Sequence, residues 1–452
     1  MSAASLSPAM IPALNGGQSR LPVFEVPKSA LKKRARINNV CTNTLANAVN
    51  SYLGTTSTTL SIGQVSLLHA AAKVELSRAF TITEVFRRTL CYGFLLEDIF
   101  DWGQRPLSLQ SGATASRKDS ARTAMAGHLG EATTLLLMDS MDFPFWDHLP
   151  TLWTRQRGIV DHSEQVNWPA PITRPSQLSQ EPDFIVEKWN RGSFALVESK
   201  GHMVTPGARP DYKQPLNDAL KQLANWPTYL PATIQASYAV STYYQESLNG
   251  AIDPSLIAFT DPPPEGDRDN DLSIDIPDDA VRRGNYGAWL IGMGFENAGL
   301  RLRSYTSTDA SNYELAIFSL NGEDYAVHFN RFFCPCLPRH PFDYPWLDMK
   351  HYWDLARFWA ESIWGGFPVV GIKVSTLRLI EQALKQGSDR ESLLDVAPER
   401  QRAEIAPTVD GDASQFAGSV LKDGTMFGFI GIDSPFWREL RTKPFRIRAS
   451  SQ

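Results

Sequence analysis

The chain has 452 residues, enough for two or three domains at roughly 100–200 residues each. Hydrophobic residues make up 42% and charged residues 21%, which excludes a disordered polypeptide and leaves enough apolar side chain for real cores. A net charge of -5 excludes a protein coated in basic charge, but not an enzyme of nucleic acids, because local basic clusters act while site carboxylates pull the total down.

Residues 1–60 are rich in Ser, Ala, Pro, Asn and Thr and read as an N-terminal arm. Within it, Lys32 to Arg36 (KKRAR) is either a solvated charge run or a contact to nucleic-acid phosphates. The start of the chain lacks a basic segment followed by a long apolar one, so no secretory leader is expected. No window approaches the roughly 18 apolar residues of a membrane span. Sparse cysteines (Cys41, Cys91, Cys334, Cys336) suggest a reducing compartment, and together these features predict a cytoplasmic protein with no membrane partner. Cys334 and Cys336 stand too close together for a zinc knuckle and have no second pair nearby.

Residues 61–118 form a helical segment in this reading, with apolar residues at three- and four-residue spacing through QVSLLHAAAKVELSRAF and ITEVFRRTLCYGFLLEDIF. A further helix starts near Ser120, in which Ala124, Gly127, Leu129, Ala132 and Leu136 are small or apolar. Pro144 to Glu181 is broken by prolines and tryptophans and reads as loops with short strands. PDFIVEKW and SFALVESKG then read as two strands around the Asn190-Arg191-Gly192 turn, PLNDALKQLANWP as a helix stopped by Pro227, and TIQASYAVSTYY as a strand. The Pro- and Asp-rich stretch 261–280 is the clearest linker or surface loop, and its acidic run lacks the glycine and terminal glutamate of a calcium loop. Residues 281–452 read as a C-terminal α+β domain, with a hairpin around Asn321-Gly322, helices over WLDMKHYWDLARFWAESIW and VSTLRLIEQALKQG, an exposed polar stretch SLLDVAPERQRAEIAP and an aromatic C-terminal segment packed in the core.

The chemistry sits on the first hairpin. Glu198 and Lys200 are two residues apart, so both leave one face of a strand. Asp183 lies on the preceding strand. A turn centred between Asn190 and Arg191 pairs residues whose numbers sum to 381 and sets Asp183 opposite Glu198. A turn centred between Arg191 and Gly192 gives 383 and sets it opposite Lys200. Either register gathers all three on one face within roughly 5–8 Å, whereas the intermediate one puts Asp183 on the other face. Two carboxylates at such spacing form a hard-oxygen site suited to magnesium, and burying both without a cation is costly. A lysine beside them can position a metal-bound water and stabilise charge on a phosphate, which is the equipment of phosphodiester hydrolysis.

Pro182-Asp183 followed by Glu198-Ser199-Lys200 resembles the PD-(D/E)xK nuclease superfamily, the fold of many restriction and repair endonucleases. The resemblance covers residues 120–245, about a quarter of the chain, and is strengthened by GHLGEA upstream and a glutamine-bearing helix downstream. It implies an α/β protein with a restriction-endonuclease-like core, a mixed sheet flanked by helices, over residues 119–260. It implies that Asp183 and Glu198 bind Mg²⁺ or Mn²⁺, with the Ser199 carbonyl a further ligand and Glu131 an auxiliary one. Lys200 would be catalytic and Gln222 a positioning residue. The family's Q-x-x-x-Y pattern is altered, since Trp226 stands where the tyrosine is expected.

The expected function is thus metal-dependent hydrolysis of DNA, in a restriction or anti-phage defence effector. The C-terminal region would sense a trigger, bind a protein partner or form a homodimer. A non-catalytic binding or assembly scaffold with the nuclease fold is the alternative from another class, and an RNA-cleaving toxin is the alternative within the enzyme class, since the phosphodiester is the same. His128, His202, Lys213 and Lys221 read as ordinary surface or interfacial groups, with contact to substrate as the sharper alternative. The tryptophans from Trp346 to Trp364 read as core. No P-loop and no G-x-S-x-G elbow occurs, which leaves ATP use and acyl-enzyme chemistry without support.

Overall fold

A computed structural model describes residues 18–28, 31, 57–78, 99–102, 107–152, 181–190, 192–205, 213–224, 226, 234–246, 255–261, 279–304, 311–329, 366–385, 403–405, 416–431 and 441–447. Lys32 to Arg36, all four cysteines, most of the 261–280 linker and the tryptophans from Trp346 to Trp364 lie outside the described residues. In chain order, β1 (Ser19–Glu25) and β2 (Ser57–Ile62) precede helix α1 (Gln64–Arg78). Then come β3 (Phe100–Asp101), β4 (Ser108–Leu109), α2 (Asp119–Ser140), β5 (Phe145–His148), β6 (Phe184–Glu187), β7 (Phe194–Val204), α3 (Lys213–Leu223), β8 (Ile234–Gln245) and β9 (Leu256–Thr260). Helices α4 (Ala280–Gly292) and α5 (Glu296–Ser304) follow. The chain continues through β10 (Ser311–Leu320), β11 (Glu323–Phe329), β12 (Gly366–Lys373), α6 (Val374–Lys385), β13 (Ala403–Ile405), β14 (Phe416–Val420), β15 (Thr425–Gly431) and β16 (Arg441–Ile447).

The chain divides into two compact units, and neither is a continuous stretch. One comprises Gln18–Ile62 and Leu95–Asn285; the other comprises Met1–Gly17, Gly63–Phe94 and Tyr286–Gln452. The boundaries therefore differ from the arm, helical segment, core and C-terminal domain expected from composition. β1 and β2 are not an arm: β1 pairs antiparallel with β2 and parallel with β9, inside the first sheet. Pro22 concealed this, because a proline argues against a central strand, and the β9 pairing begins only at Val23, one residue beyond it.

The first unit is built on a seven-stranded mixed sheet in the order β2-β1-β9-β8-β7-β6-β5. β5, β6 and β7 run antiparallel in succession, and β8 returns parallel to β7 after the α3 crossover. Helices lie on both faces of β7. Odd-numbered β7 residues meet α2, where the Thr134 and Ser199 hydroxyls bond at 2.9 Å. Even-numbered residues face α3, whose Leu216, Ala219 and Leu223 form a buried stripe at helical spacing. This is an α/β architecture with a mixed sheet between helices.

Two contacts hold this frame. Gly130 of α2 and Gly201 of β7 cross with no side chain between them; a Cβ on Gly130 would lie 2.6 Å from the Gly201 Cα. At the turn of the β6–β7 hairpin, Arg282 of α4 donates to the Glu187 carboxylate at 3.0 Å and to the Trp189 carbonyl at 2.9 Å, with its guanidinium 4.4 Å from the Phe145 ring centre. Both partners of the ion pair are fully buried. Removing one partner strands the other charge in the core, so Arg282→Ala is expected to cost about 3–5 kcal/mol in urea unfolding, and the Glu187→Met/Arg282→Met pair of changes far less. Equal losses in the single and double variants would show that the charges are not coupled.

The second unit carries an antiparallel seven-stranded sheet in the order β13-β14-β15-β12-β11-β10-β16. Its β10–β11 hairpin turns at Asn321-Gly322, both at positive φ (51° and 82°), the geometry that Asn-Gly supplies at least cost. β13, in a stretch expected to be exposed and polar, pairs with β14 at the edge of this sheet. Helix α1 is buried along its length except at Arg78. Its Lys73 forms a buried ion pair with Asp423, and its His69 bonds Ser419 at 3.2 Å and Thr425 at 3.3 Å. Among the described residues, no helix is long and apolar enough to cross a membrane.

Candidate active site

The paired residues of β6 and β7 run from Phe184↔Val197 to Glu187↔Phe194. Every pair sums to 381, the register of a turn centred between Asn190 and Arg191. The turn is closed by the Lys188 amide on the Ser193 carbonyl (3.0 Å) and the Ser193 amide on the Asn190 carbonyl (3.2 Å), with Gly192 at φ 70°. One step beyond the last pair, Asp183 meets Glu198. Here β6 has ended while β7 continues to Val204 beside β8. The sheet therefore has a step, and the three motif side chains stand at it.

The acids are tied to the backbone as well as to each other. The Asp183 amide donates to Glu198 Oε2 at 3.0 Å, and the Ser199 amide donates to Asp183 Oδ2 at 2.9 Å. Lys200 Nζ donates to Glu198 Oε1 at 2.6 Å. Glu198 is 1% exposed, Asp183 half-buried, and the Lys200 side chain 29% exposed. The site thus presents a lysine and one carboxylate outward and holds the second carboxylate beneath them. A strand residue's N–H and C=O leave on the same side, so the Ser199 carbonyl also faces the step next to Asp183.

Burial, and then the nearby Asp183 charge, push the Glu198 carboxyl from 4.5 up to about 8, against the pull of Lys200. A raised carboxyl contributes stability that is complete below about pH 4.5 and is lost as the pH rises through about 8. In EDTA, wild-type stability should therefore fall between those limits, and Glu198→Gln should reduce the fall to the share left by Glu187, whose carboxyl burial also pushes up to about 8. The gain for the variant at pH 9 should be on the order of a few kcal/mol, since a tenfold change in proton affinity corresponds to about 1.4 kcal/mol. Urea midpoints from pH 5 to 9 read this directly, and parallel wild-type and variant curves would sink it.

The other expected site residues fare differently. Glu131 lies on α2 beside Gly130, and α2 covers the β7 face opposite to that of Glu198 and Lys200. It stands 3.9 Å from His128, one turn earlier on the same helix. Among the described residues, no group of three or more His, Cys, Asp or Glu side chains is placed to hold a metal ion, so Glu131 does not gather with Asp183 and Glu198 as a third acid. The reason is the Gly130–Gly201 crossing, which brings the helix down on the odd-numbered face. Gln222 lies on α3, the helix over the Glu198 and Lys200 face; one helical turn before it, Asp218 is held below its ordinary range chiefly by bonds from Lys221 and Gln214, with a smaller pull from Lys200. Its Oε1 is buried without a hydrogen-bond partner. His202 stacks on Tyr243, with ring centres 5.1 Å apart. Lys221 pairs with Asp218 at 2.9 Å on the surface, and Lys213 opens α3.

The remaining donor set, two carboxylates and a backbone carbonyl, fits a magnesium-sized ion that keeps several waters. A cation held there would offset the cost of burying Glu198 beside Asp183. No protein-family model, no curated protein and no solved structure matches the chain.

Proposed function

We propose that the first unit is a metal-dependent nuclease that hydrolyses DNA phosphodiester bonds, with a restriction-endonuclease-like core running from α2 to β8. The observation that carries this reading is the juxtaposition at the sheet step: Asp183 opposite Glu198, their carboxylates laced through the Ser199 and Asp183 amides, and Lys200 on Glu198. The motif strands β6 and β7 lie between helices α2 and α3, in a mixed sheet in which β8 runs parallel to β7.

Asp183, Glu198 and the Ser199 carbonyl would hold Mg²⁺ or Mn²⁺, which supplies Lewis acidity to the phosphate and lowers the pKa of a bound water. Asp183 Oδ2 is oriented by the Ser199 amide, so it needs little reorganisation to bind. Lys200 Nζ, drawn back on Glu198 in the resting protein, is the group that can turn outward to stabilise charge on a non-bridging phosphate oxygen. Gln222 Oε1 has an open acceptor and suits the orientation of water near the site. A phosphodiester at the step would meet the half-buried Asp183 and the partly exposed Lys200 first.

The test is conversion of supercoiled plasmid by purified protein in Mg²⁺, in Mn²⁺ and in EDTA, with single-stranded DNA and RNA in parallel. Metal-dependent nicking or linearisation that EDTA abolishes is the expected result. Cutting of RNA alone would reassign the substrate, and no cutting of any of them would remove the reading.

A further inference from the structure

Among the described residues, the polar side-chain atoms buried without a hydrogen-bond partner near the even-numbered face of β7 include Ser237 Oγ, Ser241 Oγ and Gln222 Oε1, with Glu187 Oε2 and Gln245 Nε2 at the two ends of the strand. Unpaired buried polar atoms are rare in folded proteins, and each one asks what it is for. Ser237 lies opposite Leu196, away from the chemistry. Ser241 does not. It is the β8 residue directly opposite Lys200 in the parallel β7–β8 pair, and paired residues of neighbouring strands share a face at a spacing of about 4.8 Å. Its side chain is fully buried. Glu198, the present partner of Lys200, lies opposite Ala239, which offers no polar atom, and Val240 faces α2. Ser241 is therefore the polar β8 side chain directly opposite Lys200, while Tyr243, two residues on along the same face, is stacked on His202.

An ammonium has three donors, and Lys200 uses one of them on Glu198. The serine hydroxyl has acceptor capacity that the resting protein does not use. The geometry points to Ser241 as a positioning residue for Lys200: its hydroxyl accepts from the ammonium when Glu198 is released for other work, and keeps the charge at the step rather than in solvent. This rests on the reading of Lys200 as the catalytic lysine. It differs from an ordinary core serine in one respect that can be measured, because a hydroxyl held in reserve contributes no hydrogen bond to the resting fold.

Ser241→Ala is compared with wild type for plasmid cleavage in Mg²⁺ and for urea unfolding. The expected result is a kcat about 10–100-fold lower at unchanged KM, the scale of a mispositioned catalytic group, with a urea midpoint unchanged or higher. An unchanged kcat overturns the assignment, and so does a loss of stability that accompanies the loss of turnover. A wild type that cuts no nucleic acid removes the nuclease reading, and the contact is then decided without activity. In ¹H–¹⁵N spectra of lysine ammonium groups, with the Lys200 signal identified by its absence in Lys200→Arg, Glu198→Met should keep that signal. Glu198→Met/Ser241→Ala should lose it. The same behaviour in both variants overturns the proposal.

Discussion

Asp183→Ala is expected to lower metal-dependent cleavage by about 10³-fold or more, and Lys200→Ala by about 10²–10³-fold, read as initial rates of plasmid nicking at saturating Mg²⁺. The two losses have different origins. Without Asp183, the Ser199 amide loses its acceptor and the outer carboxylate of the pair is gone, so the remaining acid is the buried one, which burial holds toward its protonated form. Raising Mg²⁺ should restore little, because Glu198 and one carbonyl are too few donors for a competent site. Without Lys200, both acids and their backbone bonds remain, so the apparent Mg²⁺ requirement should change less than the rate does. Lys221→Ala provides a control: that lysine is exposed and paired with Asp218, and its loss should leave kcat where it was. Cleavage that survives Asp183→Ala would place the active site elsewhere.

Gly201→Ala should unfold the first unit. A Cβ there would fall within the van der Waals envelope of the Ala126 carbonyl oxygen, 2.6 Å from its carbon and 3.1 Å from the Gly130 Cα. These are backbone atoms of a helix, and they cannot turn aside as the end of a side chain can. The only relief is to lift α2 from β7, which opens the Thr134–Ser199 bond and disturbs the strand that carries Glu198 and Lys200. A cost above about 4 kcal/mol is expected, large against the roughly 5–15 kcal/mol of typical total stability. Gly127→Ala is the matched control. A Cβ at that position has open space around it, and alanine is favoured over glycine inside a helix by about 1 kcal/mol, so this variant should unfold no more easily than wild type. Urea unfolding followed by circular dichroism separates the two, and a folded Gly201→Ala protein would mean that the crossing has slack.

The shared face of Asp183, Glu198 and Lys200 was legible from spacing alone. Glu198 and Lys200 differ by two, the turn residues limit where the hairpin can fold, and only registers of one parity bring Asp183 to the same face; the observed one is among those two. Glu131 shows where such reasoning stops. Its spacing from the hairpin says that it belongs to the preceding helix, but the face on which a helix lands is decided by a tertiary contact. Here that contact is between two glycines, Gly130 and Gly201, which leave no mark in a hydrophobic pattern except a missing side chain. β1 and β2 were hidden for another reason: Pro22 and a run of small polar residues obscure the alternation, and their place in the sheet comes from the distant β9. Ser241 carried no signal at all, since one serine in an alternating strand gains meaning only from the residue across the ladder.

The interleaving of the two units along the chain bears on the order in which the protein comes into being. Helix α1 ends at Arg78, yet the sheet whose Ser419, Asp423 and Thr425 receive its His69 and Lys73 begins only at Ser311. At a translation rate of about 5–20 residues per second, α1 leaves the ribosome some 10–50 s before the first strand of that sheet exists. Until α4 and α5 are made it lacks the helices it meets, through Gly292 against Leu76 and Arg303 on the Ser77 carbonyl, and until Ser311 it lacks the sheet as well, while the strands of the other unit are being completed. Nascent chains arrested before residue 280, short of α4, α5 and the sheet, should therefore hold α1 exposed, and they would be the species on which a chaperone acts.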